Sequence, residues 1–143
     1  AGSDIAPNEV QSHIWGAGVG IDMTRRDVQQ QAKDKRRPWD LGKDFENAAI
    51  IAPLTPAAEF GDIGDQSIQL RHNDAVAQDA TLADMIWSAP EIISHLSGFY
   101  HLKPGDLIYT GTPAGVGPVQ DGSVLHGTIA GLPPVTLTID APE

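Results

Sequence analysis

Ser67-Ile-Gln-Leu-Arg-His-Asn-Asp-Ala-Val-Ala-Gln-Asp79 alternates apolar and polar residues on either side of Asn73-Asp74. Asn and Asp tolerate tight-turn backbone conformations, and period-two alternation on both sides of them predicts a β-hairpin. Hairpin strands are antiparallel by construction. The stretch therefore sets the fold class: a sheet built from hairpins, not from strand–helix–strand crossovers.

Reading outward agrees with it. Downstream, Ser88 and Glu91 form a capping box with Pro90 in the first turn. Ile92, Ile93, Leu96 and Phe99 then give an apolar helix face. Lys103-Pro104-Gly105 ends that element. Residues 106–109 predict a strand running into Thr110-Gly-Thr-Pro-Ala-Gly-Val-Gly117, and residues 124–129 and 135–139 predict two final strands around Gly131. Upstream, residues 48–54 form a short apolar strand closed by Pro53 and Pro56. Residues 13–21 carry a buried-strand signal interrupted by Gly16, Gly18 and Gly20, which implies close backbone approach. Residues 1–10 read as loop. Thr24, with Asp27 three positions on, reads as the N-cap of a helix over about 25–35, which Pro38 stops. Several short strands with two helices and no regular crossover pattern predict a strand-rich α+β fold.

The totals bound the function. The chain has 143 residues, 41% hydrophobic and 20% charged, enough for a packed core in one domain. A net charge of −10 argues against nucleic acid as a partner. The absence of cysteine excludes disulfides and cysteine-ligated metal sites and suits a cytoplasmic location. No apolar run reaches the ~20 residues that a membrane span needs. The first residue is Ala1, so the expectation is a processed chain or part of a longer one.

Charge is distributed unevenly. Seven of the nine basic residues lie between Gly20 and Phe45: Arg25, Arg26, Lys33, Lys35, Arg36, Arg37 and Lys43. An acidic protein with its positive charge gathered in one segment invites a small anionic ligand. Arg26 and Gln29 share a helix face, where a guanidinium fork and an amide could hold a carboxylate. Asp22, just before the helix, offers the hard oxygen that divalent cations prefer. The same spacing also suits a solvated basic helix whose Asp caps or pairs with an Arg. The 111–117 loop could cradle an anion or serve only as a turn. It lacks the Gly-Lys-Ser/Thr of a P-loop, and Thr112 is the side chain there able to orient a ligand oxygen. The histidines, His13, His72, His95, His101 and His126, lack helical zinc-pair spacing, and His126 stands out only for its place after the glycine loop. Asp84 and Glu91 read as caps and not as a catalytic pair.

Four ordered blocks carry a resemblance: Gly20-Ile-Asp-Met-Thr-Arg-Arg-Asp-Val-Gln29, Leu41-Gly-Lys-Asp-Phe45, Asp84-Met-Ile-Trp-Ser-Ala-Pro-Glu-Ile-Ile93 and Pro104-Gly-Asp-Leu-Ile-Tyr-Thr-Gly-Thr-Pro-Ala-Gly-Val-Gly117. Together they resemble the C-terminal catalytic domain of the fumarylacetoacetate hydrolase family. Arg36-Arg37-Pro38-Trp39-Asp40 is similar to its fumarylpyruvate-hydrolysing members.

The resemblance implies a fold of mixed β-sheets or a β-roll with few helices, residues 1–143 being the C-terminal catalytic portion of a larger hydrolase truncated at its N-terminus. It implies a cytoplasmic homodimer that binds Mg²⁺ or Mn²⁺. The activity implied is cleavage of a C–C bond in an acylpyruvate, a small anionic diketo acid, with fumarylpyruvate giving fumarate and pyruvate in aromatic breakdown. By motif, Asp22 is a metal ligand, Arg26 and Gln29 hold substrate, Lys43 sits beside metal and substrate in a catalytic role, and Thr112 binds a substrate oxygen. The family's Glu-x-Glu metal ligands and its water-activating His and Glu have no counterpart in these residues. Oxaloacetate decarboxylation or isomerisation uses related chemistry and is the alternative. A non-enzymatic assembly or anion-binding fragment is the other.

Overall fold

The computed structural model describes residues 1–141. The hairpin that sets the fold class is present. β5 (Ser67–His72) and β6 (Ala75–Thr81) pair antiparallel, with Asn73 in the turn at φ 53°. β5 also pairs with β7 (Val124–Ile129), which pairs with β8 (Val135–Thr138), giving a four-stranded antiparallel sheet of order β6-β5-β7-β8.

Two smaller antiparallel ladders lie upstream. The single strand expected over 13–21 divides in two. A 3-10 turn takes Val10–His13. β1 (Gly16–Ala17) then pairs with β4 (Thr55–Pro56), and β2 (Gly20–Asp22) pairs with β3 (Ala49–Ile51). The expected close approach is found: a Cβ on Gly16 would overlap the carbonyl oxygen of Thr55, and one on Gly20 would stand 2.6 Å from the Tyr109 ring. Tertiary contact therefore dictates these glycines.

The core fills the space between the β2–β3 ladder and the four-stranded sheet. Val19, Ile21, Ala52, Leu125 and Val135 are buried together, with Met23, Ile50, Leu70 and Ile129 packed around them. Strand alternation turns Ile21 into this core and leaves Asp22 on the open side.

The helices hold the site in place. α1 (Arg26–Asp34) begins one residue later than the Thr24 capping box predicts: its N-cap is Arg25, with no side-chain cap. The reason lies in α2 (Asp40–Lys43), a short helix for which the sequence carries no local signal. The Arg25 N–H donates to the Gly42 carbonyl at 3.0 Å, so α2 ties down the N-cap residue itself and fixes where the chain enters α1. Thr24 Oγ1 is left buried without a partner. Gly42 packs directly on α1, where a Cβ would lie 3.2 Å from the Gln29 nitrogen. Lys33 stacks over the Trp39 ring at 4.9 Å and ties the two helices again. A further short helix, α3 (Ala57–Phe60), follows β4.

α4 (Ala89–Ser97) starts at Ser88 with the predicted capping box to Glu91. It ends before Phe99, so that ring is 72% exposed and meets His95 edge-on instead of extending the buried face. Asp84 caps Thr81 in the same manner, so neither carboxylate belongs to a site. Residues 106–109 are not a strand, because they find no ladder partner. The 1–10 segment is anchored at Gly2 by a bridge to Leu102 and at Ile5 by the Ser97 hydroxyl.

Candidate active site

A cavity of about 610 Å³ opens between the β2–α1 corner, the β5–β6 hairpin and the 110–118 loop. Each wall has a structural cause. β2 delivers Asp22 to the cavity edge by its alternation. The docking of α2 on α1 through Gly42 carries Lys43 to the same edge. Lys43 Nζ donates to Asp22 Oδ2 at 2.9 Å, with the two side chains 35% and 50% exposed. Arg26, in the first turn of α1, lines the cavity, and its Nη1 donates to Gln29 Oε1 at 3.2 Å. Gln29 itself is buried and lies outside the cavity lining, so it reaches the cavity through Arg26.

The opposite wall is the glycine-rich loop, fastened at both ends. At its entry the Tyr109 ring lies against Gly20, and its hydroxyl donates to the Ile50 carbonyl at 2.9 Å. Burial, with a smaller contribution from the Asp22 charge, raises the Tyr109 hydroxyl above its ordinary pKa. Beyond it, Thr112 meets Gln78 of β6, and Gly115 sits so close to the Ala77 carbonyl that no Cβ would fit.

The structure thus brings Asp22, Lys43, Arg26 and Thr112 to one cavity, with Gln29 behind Arg26. His126 is elsewhere: it hydrogen-bonds Thr136 at 2.9 Å on the face of β7 and does not line the cavity. Among the cavity-lining residues without a site role in the sequence are Thr24, His72, Gln78 and Tyr109. Thr24 has the signature of a cap and Tyr109 that of a strand, although an aromatic residue next to a glycine-rich loop is a usable signal. Gln78 carries no signal in an alternating strand.

The arrangement suits an anion that also meets a hard cation. Lys43 and Arg26 supply fixed positive charge, and Thr112 supplies a hydroxyl. Asp22 is the right donor type for Mg²⁺ or Mn²⁺, which take several oxygens. Among the described residues no three His, Asp or Glu side chains converge. The fit is therefore to one position of a coordination shell, and not to a whole one.

Comparison with known proteins agrees with the architecture. A family profile described as fumarylacetoacetate (FAA) hydrolase C-terminal matches residues 1–140. A fumarylpyruvate hydrolase from a Ralstonia species is 44% identical over 95% of this chain and 71% of its own length. An Escherichia coli oxaloacetate tautomerase is 42% identical over 85% of this chain and 56% of its own, and the human mitochondrial oxaloacetate tautomerase is 36% identical over 92% and 59%. The crystal structure of a fumarylpyruvate hydrolase from Pseudomonas aeruginosa, in complex with Mn²⁺ and pyruvate, superposes with a TM-score of 0.96 at 40% identity. It covers 99% of this chain and 60% of that one. The chain thus spans little more than half the length of most of these relatives. With the profile matched almost end to end, the chain belongs to the fumarylacetoacetate hydrolase family.

Proposed function

We propose that this chain carries the substrate-holding wall of a divalent-metal-dependent enzyme that hydrolyses the C–C bond of an acylpyruvate, fumarylpyruvate first among them. The observation that carries the reading is the joining of Asp22, Lys43, Arg26 and Thr112 around one cavity, in a fold shared with a relative solved with Mn²⁺ and pyruvate.

The reaction adds water to one carbonyl of the diketone and breaks the adjacent C–C bond. The electron pair leaves on the pyruvate fragment, which then takes up a proton, so fumarylpyruvate and water give fumarate and pyruvate. Lys43 places an ammonium where negative charge develops on the departing fragment. Arg26 pairs with a carboxylate of the substrate, and Gln29 holds the guanidinium in its orientation from behind. Thr112 donates a hydroxyl to a substrate oxygen on the facing wall, so the two walls fix the diketone between them. Asp22 is the one metal-ligating position assigned, the remaining positions being open to water, substrate oxygens or further carboxylates. When bound, the cation supplies Lewis-acid polarisation of a substrate carbonyl. The homodimer implied by the resemblance belongs to the same proposal, and sedimentation velocity tests it.

A second reading rests on the oxaloacetate tautomerase relatives, at 42% and 36% identity. Keto–enol exchange would use the same holding groups without water addition. Incubating the full-length protein with Mn²⁺ and either fumarylpyruvate or enol-oxaloacetate separates them. Release of fumarate and pyruvate supports hydrolysis. Untouched fumarylpyruvate with accelerated ketonisation of oxaloacetate assigns the tautomerase reading instead.

A further inference from the structure

Gln78 is a polar side chain with only 7% of its surface exposed, in the middle of strand β6. A buried primary amide is costly unless its donors are used, and here both are used on the same target. Nε2 donates to Thr112 Oγ1 at 2.8 Å and to the Pro113 carbonyl at 2.7 Å, across 34 and 35 residues of sequence. One position back, the Ala77 carbonyl presses on Gly115, at φ 104°. The pair Ala77–Gln78 therefore holds the glycine-rich loop to the sheet by hydrogen bonds at Thr112 and Pro113 and by a close backbone approach at Gly115.

The direction of these bonds has a chemical consequence. A threonine hydroxyl has one proton and two acceptor lone pairs. When it accepts the Gln78 N–H, its own proton is left to donate. The nearest acceptor is Gln78 Oε1, at a longer 3.2 Å. A carboxylate or enolate oxygen in the cavity is a stronger acceptor than that neutral amide oxygen, so the proton turns to the ligand. From this geometry we infer that Gln78 is a positioning residue: it fixes Thr112 as a hydrogen-bond donor toward an anionic substrate and holds the loop at the distance where that donation is made. The inference rests on the acylpyruvate reading for the identity of the anion. Gln78 touches the loop and acts through Thr112.

A double-mutant cycle in the full-length enzyme tests this, with Gln78→Met, Thr112→Val and both together, assayed on fumarylpyruvate with Mn²⁺. Methionine keeps the volume and removes the amide. The expected result is a KM raised about tenfold in each single variant, with kcat falling less. The double variant should be close to either single one, because the two residues act as one unit. If Gln78→Met fails to fold, Gln78→Glu serves in its place. Its carboxylate accepts the Thr112 O–H hydrogen bond and repels the substrate, so its KM defect relative to wild type shrinks as pH falls and the carboxyl regains a proton. Additive effects on KM, or an unchanged KM, overturn the inference. So does a Gln78→Glu defect that ignores pH. A wild-type enzyme that leaves fumarylpyruvate intact overturns the functional reading, and with it this role, and is distinguished by the wild-type assay alone.

Discussion

Asp22 and Lys43 are 21 positions apart in sequence and joined by a 2.9 Å ion pair at the cavity edge. Both are substantially exposed, and such pairs contribute at most about 1 kcal/mol to stability. Lys43→Met should therefore shift the unfolding free energy by less than about 1 kcal/mol in urea melts. Turnover of fumarylpyruvate should fall on the order of a hundredfold if the ammonium faces developing charge. A large loss of stability with intact turnover would make the pair structural. Arg26→Ala should raise KM more than it lowers kcat in steady-state kinetics, because a remote carboxylate contact contributes mainly to binding. At this scale the sequence exposed the charged residues well, since their clustering and motif spacing stand out. Gln78 was invisible because its burial depends on the 110–117 loop folding over it, which no local pattern encodes. Thr24 misleads for a related reason: a carbonyl of α2, 17 residues beyond Arg25, ties down the Arg25 N–H and moves the N-cap from Thr24 to Arg25.

Among the elements, those with a complete local signal were legible. The 67–81 hairpin and α4 each carry their own turn or cap: the hairpin forms where alternation puts it, and α4 starts where its capping box puts it, although it stops short of Phe99. Elements that need a distant partner were not. β1 and β2 read as one strand until their different partners, β4 and β3, divide them. Residues 106–109 have strand composition but no ladder. α2 is four residues long and contains a glycine, so it exists by docking on α1. Gly42→Ala should push α2 off α1, because backbone atoms of Gln29 and Arg25 crowd the new Cβ. Displacement of Lys43 should then lower kcat/KM while the melting temperature drops by only a few degrees. A variant of normal activity would show that Lys43 does not depend on this contact. The caps make a pH prediction. Asp84 and Glu91 are held below their ordinary values of 3.8 and 4.5 by hydrogen bonds from Thr81 and Ser88. A depressed folded pKa contributes stability that is complete above the unfolded value and is lost as pH falls through the folded one. Glu91→Gln should accordingly flatten the loss of stability below about pH 4.5 in acid urea melts. An unchanged acid limb would remove Glu91 from that role.

Taken whole, the molecule places a basic helix corner and a clamped glycine-rich loop on opposite sides of one cavity, with the core behind them. The chain carries a net charge of −10, so the cations gathered at the cavity have to outweigh the general field for an anionic substrate to enter. Chelation with EDTA should abolish turnover, and Mn²⁺ or Mg²⁺ should restore it, whereas the fold, whose core contains no metal-ligating cluster among the described residues, should keep its melting profile. Asp22 is the proposed metal ligand, and acylpyruvate hydrolysis the proposed reaction, of this cavity. The most direct measurement is fumarylpyruvate hydrolysis by the full-length enzyme across a Mn²⁺ titration, wild type against Asp22→Asn. The variant is expected to fold normally, to need much more Mn²⁺ for half-maximal rate, and to lose about a hundredfold or more in kcat/KM, beyond what losing an outer-shell partner costs. An Asp22→Asn enzyme with the wild-type Mn²⁺ dependence and rate would contradict the proposal.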